Sequence, residues 1–257
     1  MIQRLVCLIA SLLTVIATSM AGSPDATIVP AGISSAIADP RRPADQVKLD
    51  SLRKPASLVF FSGVKEGDHV ADFMPGNGYF TRILSDVVGP RGRVYAFIPK
   101  EQIANCPPSE IAGTQAVGRD PSYANVTLLS SSLDQYRMPE KLDLIWTAQN
   151  YHDLHDGFLG PADVAALNKA LFNSLKPAGV LLVIDHVAAP GSLLRDTETL
   201  HRIDPVQMRR EIEAAGFVFE AHTDILRNAA DDHQRLVFDP EIRGKTDQVV
   251  FRFRRPR

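Results

Sequence analysis

Residues 180–185 read Val-Leu-Leu-Val-Ile-Asp, a nearly continuous apolar run. A strand with one wet face alternates apolar and polar residues. An unbroken run instead fits a parallel strand covered by helices on both faces. The flanks agree with that reading. Asp163 stands as N-cap to a helix whose apolar stripe is Val164, Leu167, Leu171 and Leu175. Lys176-Pro177-Ala178-Gly179 then turns the chain into the run.

The same alternation extends in both directions. Residues 69–73, 93–97, 126–129 and 142–147 read as short buried strands. Residues 79–88 read as a helix, with Tyr79, Phe80, Ile83, Leu84, Val87 and Val88 on one face and Gly89-Pro90 at its end. Asp204-Pro205 starts another helix, which Gly216 ends. Residues 217–223 and 248–253 complete the strands, the last with Val249, Phe251 and Phe253 on one face. Two short helical stretches, 44–52 and 56–62, precede the first strand. No internal repeat is visible. The reading is a single doubly wound α/β domain over residues 44–257.

The N-terminus has a different character. Residues 1–21 carry one positive charge, Arg4, then an apolar run, then Ser19 and Ala21 at the −3 and −1 positions of a small-residue cleavage site. That order predicts a secretory signal peptide and an exported, periplasmic or secreted protein. The run is shorter than the ~20 residues that span a bilayer, so no membrane span is expected after cleavage. Residues 22–43 are rich in Ala, Ser, Pro and Gly and are expected to be a flexible lead-in. Cleavage removes Cys7 and leaves Cys106, so an intramolecular disulfide is excluded. The formal net charge of −2 lacks the basic excess of a nucleic-acid binder.

In a doubly wound sheet the ligand sits beyond the carboxyl ends of the strands. The first strand-to-helix turn here is Asp72-Phe73-Met74-Pro75-Gly76-Asn77-Gly78-Tyr79-Phe80-Thr81. Gly76 and Gly78 allow backbone amides to approach a ligand at a helix N-terminus, where an anion is favoured. A dinucleotide fingerprint needs glycine where Thr81 stands and an acidic residue closing the second strand, so a nicotinamide cofactor is disfavoured.

The stretch VADFMPGNGYFTRIL, followed by GPRGRVYAF, resembles motif I of class I S-adenosylmethionine-dependent methyltransferases. LDLIWTAQNYHDLH, LNKALFNSLKPAGVLLVIDH and AAGFVFEAH resemble later segments of that family, in order. More narrowly, the chain resembles exported methyltransferases that share P-G-N/G-G-Y-F-T and N-Y-H-D patterns. The resemblance implies a Rossmann-like sheet of seven strands, order 3-2-1-4-5-7-6, with one strand antiparallel. It implies S-adenosyl-L-methionine as cofactor, with Asp72, Met74, Gly76, Asn77, Gly78 and Tyr79 around its methionine part. Phe97 and Ile98 would flank the ribose, and Ser132, Leu133 and Asp134 the adenine. Thr147, Gln149 and Asn150 would face the transferring methyl. The expected partner is a small-molecule or envelope acceptor.

Two departures from the family pattern stand out. Met74 replaces its first glycine. The carboxylate that normally holds the ribose hydroxyls is missing after Phe97-Ile98, and Glu101 is the nearest. A hydrogen bond to a charged group is worth ~1.5–3 kcal/mol, so its loss weakens binding about 10- to 150-fold. Either Glu101 loops back, or affinity is low, or the ligand is different.

Candidate catalytic residues follow the fourth and fifth strands. His152 is the first choice for general base, because histidine titrates near neutral pH. Asp153 is expected to orient it, with Asp185 and His186 as further candidates. The alternative is that these groups satisfy loop amides and caps. No metal is assigned, although a second reading gathers His152, Asp153, His155, Asp185, His186 and His201 into a metal-dependent site. A third reading is a binding protein that keeps the fold and changes the ligand.

Overall fold

The computed structural model describes residues 29–160 and 162–257; the signal-peptide expectation, residues 1–21, lies outside them. The chain enters through four short helices, α1 (Ala31–Ile37), α2 (Ala44–Val47), α3 (Asp50–Arg53) and α4 (Pro55–Ser62). Then come β1 (His69–Phe73), α5 (Tyr79–Val88) and β2 (Arg93–Phe97). The β2–β3 connection carries α6 (Lys100–Asn105) and α7 (Ala112–Val117) before β3 (Val126–Leu129). β4 (Leu142–Ala148), α8 (Val164–Ser174) and β5 (Leu175–His186) come next, then α9 (Thr197–Leu200), α10 (Pro205–Ala214), β6 (Val218–Thr223) and β7 (Gln248–Arg254).

Among the described residues the seven strands form one sheet of order β3-β2-β1-β4-β5-β7-β6. β7 runs antiparallel to both its neighbours, and the other pairings are parallel. This is the expected order and the expected single antiparallel strand. The strand order reverses between β1 and β4, so a crevice opens there at the carboxyl ends.

Strand parity sorts the core into two layers. Val70, Val94, Leu144, Trp146, Val180, Leu182 and Ile184 face α1, α4 and α5. Ala71, Phe73, Tyr95, Phe97, Ile145, Leu181 and Val183 face α8 and α10, through Leu167, Leu171, Met208 and Ile212. The apolar run 180–185 is therefore covered on both faces. Lys176-Pro177-Ala178-Gly179 lies within β5 and not ahead of it. Leu142 pairs with Leu175 and Leu144 with Val180, so these residues loop out as a bulge, with Ala178 at φ +64°.

The lead-in is shorter than the composition suggests. Residues 31–37 form α1, and its Ile33 and Ala36 are buried in the layer that holds Ile83 and Leu84. Alanine and serine are ordinary helix residues, and two apolar positions three apart are enough to dock one turn. The basic C-terminus is also tied down. Arg252 and Arg254 pair with Glu220, and Arg255 donates to the Leu175 carbonyl.

Ile33→Ala should lower unfolding free energy by about 2–5 kcal/mol, as expected for a buried aliphatic side chain. Denaturant melts of the two proteins measure this; a residue in a flexible lead-in would leave the midpoint unchanged.

Candidate functional site at the carboxyl ends of strands one and four

The turn after β1 is held in a strained form. Met74 has φ +58°, a backbone region that suits glycine, and this is where the methyltransferase pattern has its first glycine. The Met74 side chain is buried and its N–H donates to the Phe97 carbonyl at 2.9 Å. Gly78 has φ +73°, and a Cβ there would lie 3.0 Å from Thr114 Oγ1 and 3.2 Å from Thr114 Cα. Its glycine is required by the turn and by α7, which packs on it.

The N-terminal helices fasten the same turn. Gln46 Nε2 donates to the Asn77 carbonyl at 2.9 Å, and Gly113 N–H donates to Asn77 Oδ1 at 2.8 Å. Asp50 accepts from the Tyr79 hydroxyl and from both terminal nitrogens of Arg42. Arg42 and Arg53 stack over the Tyr79 ring, 5.3 and 4.8 Å from its centroid.

A cavity of about 620 Å³ opens at the switch point. Of the expected cofactor residues, Asp72, Met74, Gly76, Asn77, Tyr79, Gln149 and Asn150 line it. Gly78 does not line it and instead backs the turn against α7. Three of the four candidate catalytic residues, His152, Asp153 and His186, also line it, together with His201. Asn150 Nδ2 donates to the Met74 and Ala148 carbonyls, both at 2.7 Å, joining the ends of β1 and β4. Thr147 is buried in β4 behind the wall.

The ribose and adenine residues are elsewhere. Phe97 is buried, with its ring stacked on Phe73 at 5.5 Å and edge-on to Tyr136 at 4.9 Å. Ile98 is buried beside it. Ser132, Leu133 and Asp134 line a separate cleft with Glu101, whose carboxylate accepts from Leu133 N–H at 3.2 Å. Glu101 does not loop back into the large cavity. Asn105 Nδ2 donates to the Phe158 carbonyl at 2.6 Å, so α6 reaches the loop after β4. Asn105 and Phe158 themselves line the large cavity.

Two cavity residues carry unusual charge. Asp72 is buried, with Oδ2 accepting from Thr81 at 2.6 Å, and burial pushes its carboxyl up to about 7. Arg53 has no carboxylate within ion-pair distance among the described residues; its Nη2 donates to Gln149 Oε1 at 3.2 Å. Burial lowers its affinity for its proton. An arginine in a cavity wall without a carboxylate is a ready anion receptor. Motif reading misses Arg53, because a lone Arg before Lys-Pro carries no periodic or spacing signal.

The polar wall is built from the loop after β4 and the segment after β5. His152 Nδ1 lies 2.7 Å from Asp185 Oδ1, and Asp185 Oδ2 accepts the His152 backbone N–H at 2.8 Å. The orienting carboxylate is therefore Asp185, fully buried in β5. Asp153 instead faces the other side of the ring, with Oδ1 3.0 Å from His152 Nε2. Burial opposes charge on the ring, but Asp185 and Asp153 outweigh it and hold His152 well above the ordinary histidine value. His186 goes the opposite way: burial takes it down to about 3, and its Nδ1 contacts Thr246 Oγ1 at 2.8 Å.

The six-residue metal gathering is corrected by this geometry. His155 turns to Glu211, 3.1 Å away, and His186 to Thr246. Asp185 spends its oxygens on three N–H groups of His152 and His186. What converges is His152, Asp153, His201 and a residue that sequence reasoning misses, Asp156. The signal for Asp156 is its position four residues after His152, one turn on.

Neither a protein-family model nor a curated protein sequence matches the chain. Solved structures do. It is similar to an S-adenosylmethionine-dependent methyltransferase from Mesorhizobium loti, with 16% identity, TM-score 0.56, 80% of this chain and 100% of that one covered. A SAM-dependent methyltransferase from Aquifex aeolicus gives 19% identity and TM-score 0.52, covering 82% and 99%. The [4+2]-cyclase SpnF gives 13% identity and TM-score 0.59, covering 87% and 92%. The chain has the class I methyltransferase fold.

Asp72 gives a pH test of the site. Burial raises its folded value above the unfolded 3.8, so its contribution to stability is full below 3.8 and is lost as pH rises through about 7. Asn keeps the acceptor for Thr81 without the charge. Asp72→Asn should match the wild type in melting temperature near pH 4 and exceed it above pH 7, by roughly 1–4 kcal/mol in stability. Thermal melts across pH 4–9 measure the difference; a constant difference would overturn this account of Asp72.

Proposed function

We propose that this chain is an exported S-adenosylmethionine-dependent methyltransferase acting on a small-molecule or envelope acceptor. The observation that carries the reading is a half-buried arginine without a carboxylate partner among the described residues, Arg53, in one cavity with the Asp72 carboxylate at the carboxyl ends of β1 and β4. An amino-acid moiety needs a cation for its carboxylate and an anion for its ammonium, and these residues offer both. The Gly76-Asn77 backbone at the N-terminus of α5 adds donors for a carboxylate. S-adenosylmethionine, bound there, supplies an activated methyl group for direct displacement by an aligned nucleophile.

The chain's own residues do the positioning and the proton transfer. Asn150 positions the end of β4 against the turn after β1, and Gln149 links it to Arg53 and to Gln248 of β7. The His152–Asp153–His201 wall faces the cavity; Asp185 and Asp153 keep the His152 ring protonated, so the proton of an acceptor hydroxyl goes to Asp153 or His201 and not to His152. Asp185 acts through His152 as a positioning residue. A changed ligand is the second reading. It is favoured by the buried Phe97-Ile98 end of β2, which offers no carboxylate to a ribose, and by the separate cleft in which Ser132–Asp134 lie.

Calorimetric titration of the purified protein with S-adenosylmethionine and its demethylated product tests the first reading. Binding is expected, and Arg53→Met should weaken it about 10- to 150-fold, the loss of one charge-assisted contact. No heat with either compound would sink the methyltransferase reading and leave the changed ligand. Gly78→Asp is a poor probe, because Thr114 leaves no room for a side chain there. Export is tested by the mass of protein recovered from the periplasm of an expressing bacterium, which should begin at Gly22.

A further inference from the structure

The geometry points to a binding site for one divalent transition-metal cation, of the zinc class, formed by His152, Asp153, Asp156 and His201 in the wall of the cavity. One ligand atom from each of the four residues lies within 4.8 Å of all the others. His152 Nε2 is 3.0 Å from Asp153 Oδ1 and 3.2 Å from His201 Nδ1. His201 Nδ1 is 3.5 Å from Asp153 Oδ1 and 3.9 Å from Asp156 Oδ2. Tetrahedral zinc with bonds of about 2.0–2.2 Å holds its ligand atoms roughly 3.3–3.6 Å apart. The four distances, 3.0–3.9 Å, bracket that range and the other two pairs lie within 4.8 Å, so small side-chain rotations would close the set around one ion.

Asp156 supplies an independent observation. The residue is 1% exposed, and neither carboxylate oxygen has a hydrogen-bond partner. A buried carboxylate without donors is costly, and proteins resolve it by pairing the charge or coordinating a cation. No Lys or Arg is within ion-pair distance of it among the described residues. The nearest charged partner is His201 Nδ1, at 3.9 Å.

The outer arrangement is that of a metal ligand. Asp185 binds His152 Nδ1, which fixes the ring and turns Nε2 toward Asp153 and His201, where an incoming ion would displace the Nε2 proton. A carboxylate behind a histidine is the common support for a bound ion. The chain places three donors in one short turn, residues 152–156, and the fourth at His201, the residue after α9. Two imidazoles and two carboxylates suit zinc, manganese or iron over magnesium or calcium, which take oxygen ligands alone. His152, Asp153 and His201 also line the cavity, so the ion is within reach of its contents. An ion there lowers the pKa of a coordinated hydroxyl and so favours an oxygen acceptor over an amine. That last step rests on the methyl-transfer reading; the site itself does not.

The test uses untagged protein freed of metal by a chelator and then dialysed. Zinc chloride alone is titrated in by calorimetry against a competing chelator. Wild type should take up one equivalent, and Asp156→Asn and His201→Gln should each weaken binding at least tenfold. His155→Gln, outside the cluster, should not. Thermal melts give a second readout. Metal-free Asp156→Asn should melt above wild type, because it removes an unpaired buried charge, and saturating zinc should reverse that order. His201→Gln alters a part-exposed side chain and keeps the test readable if Asp156→Asn does not fold. Absence of stoichiometric binding by wild type overturns the proposal. So does equal loss in His155→Gln, or binding unchanged in both cluster variants. Heat with zinc but none with S-adenosylmethionine would leave the metal site standing and remove the methyl-transfer reading.

Discussion

Asp185 is the interaction on which the polar wall depends. It is the penultimate residue of β5, in the fully buried half of that strand, and its side chain has no contact with water. A carboxylate in that position is tolerable only with donors on both oxygens. It has three, the His152 and His186 backbone N–H groups and the His152 ring. Those bonds anchor the loop after β4 to the end of β5. The orientation of His152 comes from them, and with it the positions of Asp153 and Asp156 in the same turn. A site organised this way is built on the sheet itself, and the loop inherits its precision from the strand.

The other wall depends on elements outside the α/β repeat. The short N-terminal helices close the cavity with Gln46 and Arg53 and brace Tyr79 through Asp50 and Arg42. The glycine turn is enclosed further by Gly113 and Thr114 from the β2–β3 connection. It is therefore more fully covered by its own chain than a bare strand-turn-helix unit would be. Arg53 is left facing the cavity with no partner of opposite charge among the described residues, which is the strongest local reason to expect an anionic group in a ligand. The fold alone does not carry that conclusion, since a structure of the same architecture is that of a [4+2]-cyclase.

Strand two marks where the pattern and the molecule diverge. Phe97 occupies the end of β2 as part of an aromatic stack with Phe73 and Tyr136. A carboxylate there would be desolvated against two rings. Glu101, four residues on, is committed to Leu133 N–H in the neighbouring cleft. A ribose bound in this cavity would need other groups, and the buried Gln102 at the cavity edge has an unpartnered Oε1.

Much of the fold was legible in the residues. Period-two and period-3.6 hydrophobicity, Asp163 and Asp204 as caps, and Gly89 and Gly216 as stops are local effects, and local sequence carries them. The resemblance supplied the strand order, which pairing between distant segments then realised. Residues adjacent to a strand end, such as Asp72, Gly76, Asn150 and His152, could be assigned to the cavity because topology brings every parallel strand's carboxyl end to one side. The tertiary structure decided the rest. It chose Asp185 over Asp153 as the partner of His152 Nδ1. It sent His155 and His186 to other acceptors and brought His201 in from beyond β5. It also left Arg53 without a carboxylate and Asp156 without a lysine or arginine within ion-pair distance among the described residues. Each of these is a contact between residues far apart in the chain or turned by a single loop dihedral. Spacing along a sequence fixes neither, because side-chain direction in a loop is set by what the loop packs against.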